Sequence, residues 1–153
     1  MDRNKFVVSS GIKCLPVYTD YGTDTGREVE FNPADQGFAE ELYGLVSKLS
    51  KIHEAKVKEY EAETDAAARF DLIREEDAQM RAAVDSLFGE GFCRDVFKTR
   101  LFALSDGMTV VENFLFALMD EMDASVTENL AKRDARIRKY TEKYSKYTKK
   151  FHN

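Results

Sequence analysis

Residues 87–97, LFGEGFCRDVF, set a glutamate between two glycines and crowd bulky apolar residues on both sides. How this stretch reads decides whether the chain is a rod or a bundle. Gly89 and Gly91 lack the Cβ that penalises left-handed backbone, so a sharp turn fits here. Gly89 closes one helix, and Gly91 frees the next to leave at a new angle. Upstream, Phe70, Ile73, Met80, Val84 and Leu87 recur at helical spacing from a start near Thr64 and Asp65. Downstream, a shorter helix over 92–102 would bury Phe92, Val96, Phe97 and Leu101.

Beyond that turn, LSDGM reads as another reversal, and Thr109-Val110-Val111-Glu112 is a capping box that opens the last helix. That helix is expected to run to about Lys150, on the order of 60 Å at ~1.5 Å per residue. Proline is absent after Pro33, which long helices require. Toward the N-terminus, Asn32 as N-cap, Pro33 in the first helical position and Asp35 in the first turn predict the start of the first long helix. Phe38, Leu42, Leu45, Leu49 and Ile52 follow at spacings of four and three, a stripe for packing on other helices. Before Pro33 the pattern changes to β-branched and aromatic residues around the turn-rich DYGTDTG. This predicts strands near 5–9, 13–19 and 27–31, with Pro16 marking an edge strand.

The expected fold is therefore α+β and predominantly α. An N-terminal β-hairpin or meander over 1–31 packs on a bundle of about four helices over 32–131. A basic, tyrosine-rich extension of the last helix covers 132–153, within one domain overall. At 153 residues the chain can bury a core without disulfides or metal. No secretory signal and no run of ~18 apolar residues is present, so neither export nor a membrane span is expected. Cys14 and Cys93 match no metal or redox spacing and read as reduced thiols of a cytoplasmic protein.

Candidate chemistry is sparse, and neither catalytic residues nor a cofactor are expected. His53 has no second histidine or cysteine at ligand spacing and reads as a solvated or boundary residue. Asp120 and Asp123 share a helix face, but no Glu-x-x-His accompanies them, so an acidic surface is the simpler reading. DYGTDTG lacks the alternation and terminal glutamate of a calcium loop. The Gly-Glu-Gly turn lacks the remaining glycines and the Lys-Ser/Thr pair of a phosphate loop.

The charge distribution is more informative. From residue 132 to 150 there are nine Lys/Arg against two acids, a net of +7, which leaves −12 on the rest of a chain whose total is −5. Along this basic end Ile137, Tyr140, Tyr144, Tyr147 and Phe151 stand three or four apart. A helix that outruns its own bundle with such an edge is expected to pack on something. These five residues are the expected partner contacts, with Lys139, Lys143 and Lys146 steering an acidic partner. A protein helix or the acidic body of another copy fits the helical register of the tyrosines. Nucleic acid is the second reading, because Lys/Arg and tyrosine together can neutralise phosphates and stack on bases.

The segment DSLFGEGFCRDVFKTRLFALSDGMTVVENFLFALMDEM resembles the central part of small proteins encoded among the tail genes of phages and prophages of gut Firmicutes. The matching features are Phe88, the Gly89-Glu90-Gly91 turn, Phe97 and the helix through 114–119. VEFNPADQGFAEELYGLVSKL is similar to the start of many tail-assembly chaperones, in which a strand leads through Asn/Asp-Pro-x-Asp into a helix. Together the two segments cover about two fifths of the chain; the basic extension lies outside them. The resemblance implies a non-enzymatic chaperone that keeps the helical tape-measure protein soluble during tail assembly in the bacterial host cell; the acidic body and projecting basic helix make a homo-oligomer a further expectation. A virion structural subunit is a further reading.

Overall fold

A computed structural model describes the backbone of residues 4–152 and the side chains of residues 4–145. Two strands come first, β1 (Lys13–Tyr18) and β2 (Asp24–Phe31), followed by α1 (Gln36–Ala62), α2 (Ala66–Phe88) and the short α3 (Phe92–Val96). A miniature hairpin, β3 (Leu104–Ser105) and β4 (Met108–Thr109), then leads into α4 (Val110–His152). The architecture is α+β and mainly α, with a small antiparallel hairpin on a helical body and one very long last helix.

The N-terminal sheet is a hairpin rather than a meander. Among the described residues it has two strands, in the register Lys13↔Phe31 and Leu15↔Val29. Residues 5–9, expected as a strand, form none. Their β-favouring pattern finds no surface to bury it, and Phe6, Val7 and Val8 stay exposed. Sheet structure depends on such packing more than on intrinsic preference. Pro16 does lie on an edge, since in a two-stranded sheet both strands are edges. On β2 every second residue, Thr25, Arg27, Val29 and Phe31, turns toward the body, and the last two are 4% exposed.

The first helix begins later than the Asn32-Pro33 pattern suggests. Asn32 Oδ1 accepts from the Ala34 N–H at 2.8 Å, and its carbonyl accepts from Asp35 N–H at 3.0 Å, which makes a turn ahead of the helix. Asp35 is the N-cap and accepts from Gly37 N–H at 2.9 Å. The second helix starts where expected, with Asp65 accepting from Ala68 N–H at 3.0 Å. Phe70, expected on its buried stripe, is 60% exposed.

The helix expected over 92–102 stops at Val96. Lys98 takes a positive φ of 57°, and Leu101 N–H donates to the buried Asp77 carboxylate at 2.9 Å instead of continuing a helical ladder. Asp106 and Gly107, with φ of 55° and 80°, then form the tight Asp-Gly reversal between β3 and β4. The capping box that opens α4 is complete. Thr109 Oγ1 accepts from Glu112 N–H at 3.2 Å, and Glu112 Oε1 accepts from Thr109 N–H at 3.1 Å. The helix is 43 residues long, roughly 65 Å.

The core gathers Leu42, Leu45 and Leu49 of α1, Met80 and Val84 of α2, Phe92 and Cys93 of α3, and Val111, Leu115, Leu118 and Met122 of α4. The Gly-Glu-Gly turn knots these parts together. Gly89 has φ 114° and ψ 151°, an extended positive-φ conformation essentially restricted to glycine, rather than the left-handed helical one expected. The left-handed residue is Gly91, at φ 76°. The Asp85 carboxylate accepts from Gly91 N–H at 3.1 Å and from Cys93 N–H at 2.9 Å, so α2 supplies the cap that α3 lacks. Arg27 reaches across from β2, donating from Nη2 to the Glu90 carbonyl and from Nε to Asp95, both at 2.7 Å. The turn also stacks Phe88 on Phe92 at 5.0 Å, and both rings meet Phe114 of α4 at 5.3 and 5.5 Å. The bulky flanks of the turn are the aromatic centre of the fold.

Candidate functional site: an exposed basic helix edge

The apolar stripe of α4 is buried as far as Met122, and among the described residues Ser125 is the last buried position on that helix. Every described residue from 126 to 145 is exposed. Within that span Val126 is 40% exposed, Leu130 53%, Ile137 47%, Tyr140 50% and Tyr144 72%. Apolar and aromatic side chains thus continue at helical spacing after the body that covered their predecessors has ended. Of the expected contact residues, Ile137, Tyr140 and Tyr144 share one open side of the helix with Arg133 and Arg136, and Lys139 and Lys143 are exposed on the same helix. The side chains of Lys146, Tyr147 and Phe151 lie outside the described residues.

The local electrostatics suit an acidic partner. The Arg136 guanidinium sits 5.7 Å from the Tyr140 ring centre, a cation–π contact. Lys132 pairs with Glu128 at 2.7 Å, and this hydrogen bond holds the Glu128 carboxyl below its usual range. Tyrosine offers a large apolar body with a polar tip, and arginine a planar fork of donors. Such an edge can bind an amphipathic helix with acidic flanks, or a polyanion.

A second polar feature was not anticipated from the sequence. Glu76 of α2 is 2% exposed and meets His53 Nδ1 of α1 at 2.7 Å, while His53 itself is 58% exposed. Burial first, and then the nearby Glu76 charge, push the Tyr60 hydroxyl above the usual tyrosine value. One turn below His53, the buried Lys56 reaches Glu75 at 2.8 Å and Glu59 at 3.2 Å, and the Glu75 bond holds its ammonium above the usual lysine value. The signal was present in the sequence: Lys56 continues the Leu45, Leu49, Ile52 stripe, and Glu76 lies between Ile73 and Met80. Beside His53 a cavity of about 350 Å³ opens between α1, α2 and α4, walled by Val46, Leu49, Met80, Leu115 and Phe116, with Glu112 at its polar side.

The remaining sequence candidates are dispersed. Asp120 and Asp123 are exposed on α4. DYGTDTG is the β1–β2 reversal, closed by Thr19 N–H donating to the Thr23 carbonyl at 2.9 Å. Among the described residues no three His, Cys, Asp or Glu side chains are grouped to hold a metal ion, and no helix is long and apolar enough to cross a membrane. Cys14 is exposed, with its thiol raised by a hydrogen bond to Glu28; Cys93 is buried, and burial pushes its thiol far up.

No curated protein and no solved structure matches the chain. A model of a family of unknown function, DUF6673, matches residues 25–152, from the second strand of the hairpin through the end of the long helix. The chain belongs to that family.

Proposed function

We propose that this protein is a non-enzymatic phage or prophage tail-assembly chaperone, acting in the host cytoplasm and binding the tape-measure protein through the distal half of α4. The observation that carries the reading is the uninterrupted exposure of residues 126–145, where apolar and aromatic side chains at helical spacing lie among basic ones. A helical client with acidic flanks would cover that edge and have its own apolar face shielded from aggregation. The resemblance of the Gly-Glu-Gly segment to tail-gene products supports the choice of client.

The test is capture of the tape-measure protein from co-expression. Wild type should retain it, and a Tyr140→Ser/Tyr144→Ser variant with an unchanged circular dichroism spectrum should lose it. Equal capture by both would overturn the reading. The mixture of Lys/Arg with tyrosine favours nucleic acid as the second reading. A gel shift whose affinity falls steeply with added salt would select it. Presence of the protein in purified particles would instead mark a structural subunit.

A further inference from the structure

Along one edge of α4, positions 116, 119, 123, 126, 130, 133, 137, 140 and 144 are separated strictly by three and four residues. This is the heptad seam of a coiled coil. Its occupants are Phe116, Met119, Asp123, Val126, Leu130, Arg133, Ile137, Tyr140 and Tyr144. Phe116 and Met119 are half-buried, and the rest are exposed.

Two seam positions are charged, and they carry opposite signs. Asp123 lies five residues before Glu128, and Arg133 lies five residues after it. We infer that two copies of this chain pair through α4 as an antiparallel coiled coil, with the two-fold axis beside Glu128. The partner helix then sets its Arg133 against Asp123, its Leu130 against Val126, its Ile137 against Met119 and its Tyr140 against Phe116. Each of these pairs is a proper seam layer of an antiparallel coil. The same two-fold applies every contact twice. In a parallel pair Asp123 would face Asp123 and Arg133 would face Arg133, so the like charges reject that orientation. A single polar layer is the usual device for fixing register and orientation in such seams.

The charges outside the seam agree. Residues 110–131 of α4 carry five acids and no base, and residues 132–150 carry nine bases and two acids. Antiparallel pairing lays each acidic half against a basic half. The helix dipole accounts for such a division only within the first and last turns. Asp120, Asp123, Arg133 and Arg136 lie well inside. Folding back within one chain is no alternative, because Phe116 and Tyr140 are on the same continuous helix, about 36 Å apart at ~1.5 Å per residue.

This inference goes beyond the client reading, since its partner is the chain itself; the two use the same edge, so the client takes the place of the second copy when it binds. The experiment is mass measurement by sedimentation or light scattering of the full chain at tens of micromolar. The wild type should have twice the 17.5 kDa mass of one copy. Asp123→Arg alone and Arg133→Asp alone should each weaken the dimer about tenfold or more. The double variant Asp123→Arg/Arg133→Asp should restore it, because the exchanged charges meet again only in the antiparallel register. Helical content by circular dichroism should stay constant throughout. A wild-type monomer, a dimer indifferent to the single reversals, or a double variant that stays dissociated would each overturn the inference. A monomer that still captures the tape-measure protein would defeat the pairing and leave the client reading intact; a dimer that captures nothing would do the reverse.

Discussion

Replacing Gly91 by alanine should destabilise the protein for two separable reasons. Gly91 has φ 76°, and a Cβ there makes left-handed backbone cost ~1 kcal/mol or somewhat more. The added Cβ would also stand 2.7 Å from Arg94 Nη2 and 2.9 Å from Arg27 Nη2. Arg27 must then move, and its 2.7 Å hydrogen bond to the Glu90 carbonyl is lost or weakened. For a side chain 28% exposed that loss is about 1 kcal/mol, giving roughly 2–3 kcal/mol in total. In a chain of this size each kcal/mol shifts Tm by about 2–4 °C. Gly22 is the internal control. Its φ is 87° and an added Cβ would meet nothing within 4 Å, so Gly22→Ala carries the backbone cost alone. Thermal and urea denaturation should therefore show Gly91→Ala losing about twice what Gly22→Ala loses. In an Arg27→Ala background the excess should largely disappear. The reasoning is refuted if the two glycine variants are equally stable, or if removing Arg27 leaves the Gly91→Ala cost unchanged.

Three further outcomes follow from other parts of the molecule. Asp77→Ala should cost about 2–4 kcal/mol in urea denaturation, because it orphans the buried Leu101 N–H and leaves Arg81 without its 2.7 Å partner. Cys93 should resist alkylation in the native protein while exposed Cys14 reacts, and Glu28→Gln should speed Cys14 by removing the hydrogen bond and charge that raise its thiol. The pH dependence has two edges. Asp95 is held below the usual carboxylate range by Arg94 and then Arg27, so its contribution is present above the ordinary value and lost as pH falls through the lowered one. Lys56 is held above the usual lysine value, so its contribution persists below that value and is lost as pH rises through the raised one. Asp95→Asn and Lys56→Met should flatten the acid and alkaline limbs respectively in a Tm–pH profile.

Much of the fold was legible because its signals are local. The Thr109–Glu112 box, the Asp65 cap and the three-four stripes are short-range patterns, and apart from the exposed Phe70 each sits where the spacing put it. Failures came where one local preference met another or a distant group. Asn32 is a good N-cap in isolation, yet its carboxamide closes a turn and yields the role to Asp35. The helix after Gly91 has continuing apolar spacing, but Asp77, more than twenty residues upstream, captures the Leu101 N–H. Residues 5–9 have strand composition without a surface to pack on. The exposed edge of α4 was readable because nothing in a proline-free basic run could turn it back. The places of Lys56 and Glu76 on the apolar stripes were legible too, but the pairing of Glu76 with His53 was not, because it depends on how α1 and α2 are rotated against each other.

Hydrogen exchange across residues 126–145 of the full chain, alone and with the tape-measure protein, tests the central claim most directly. The client should slow exchange in those peptides and leave α1 and α2 unchanged. Slowing confined to the helical body, or no change at all along the distal half of α4, would contradict it.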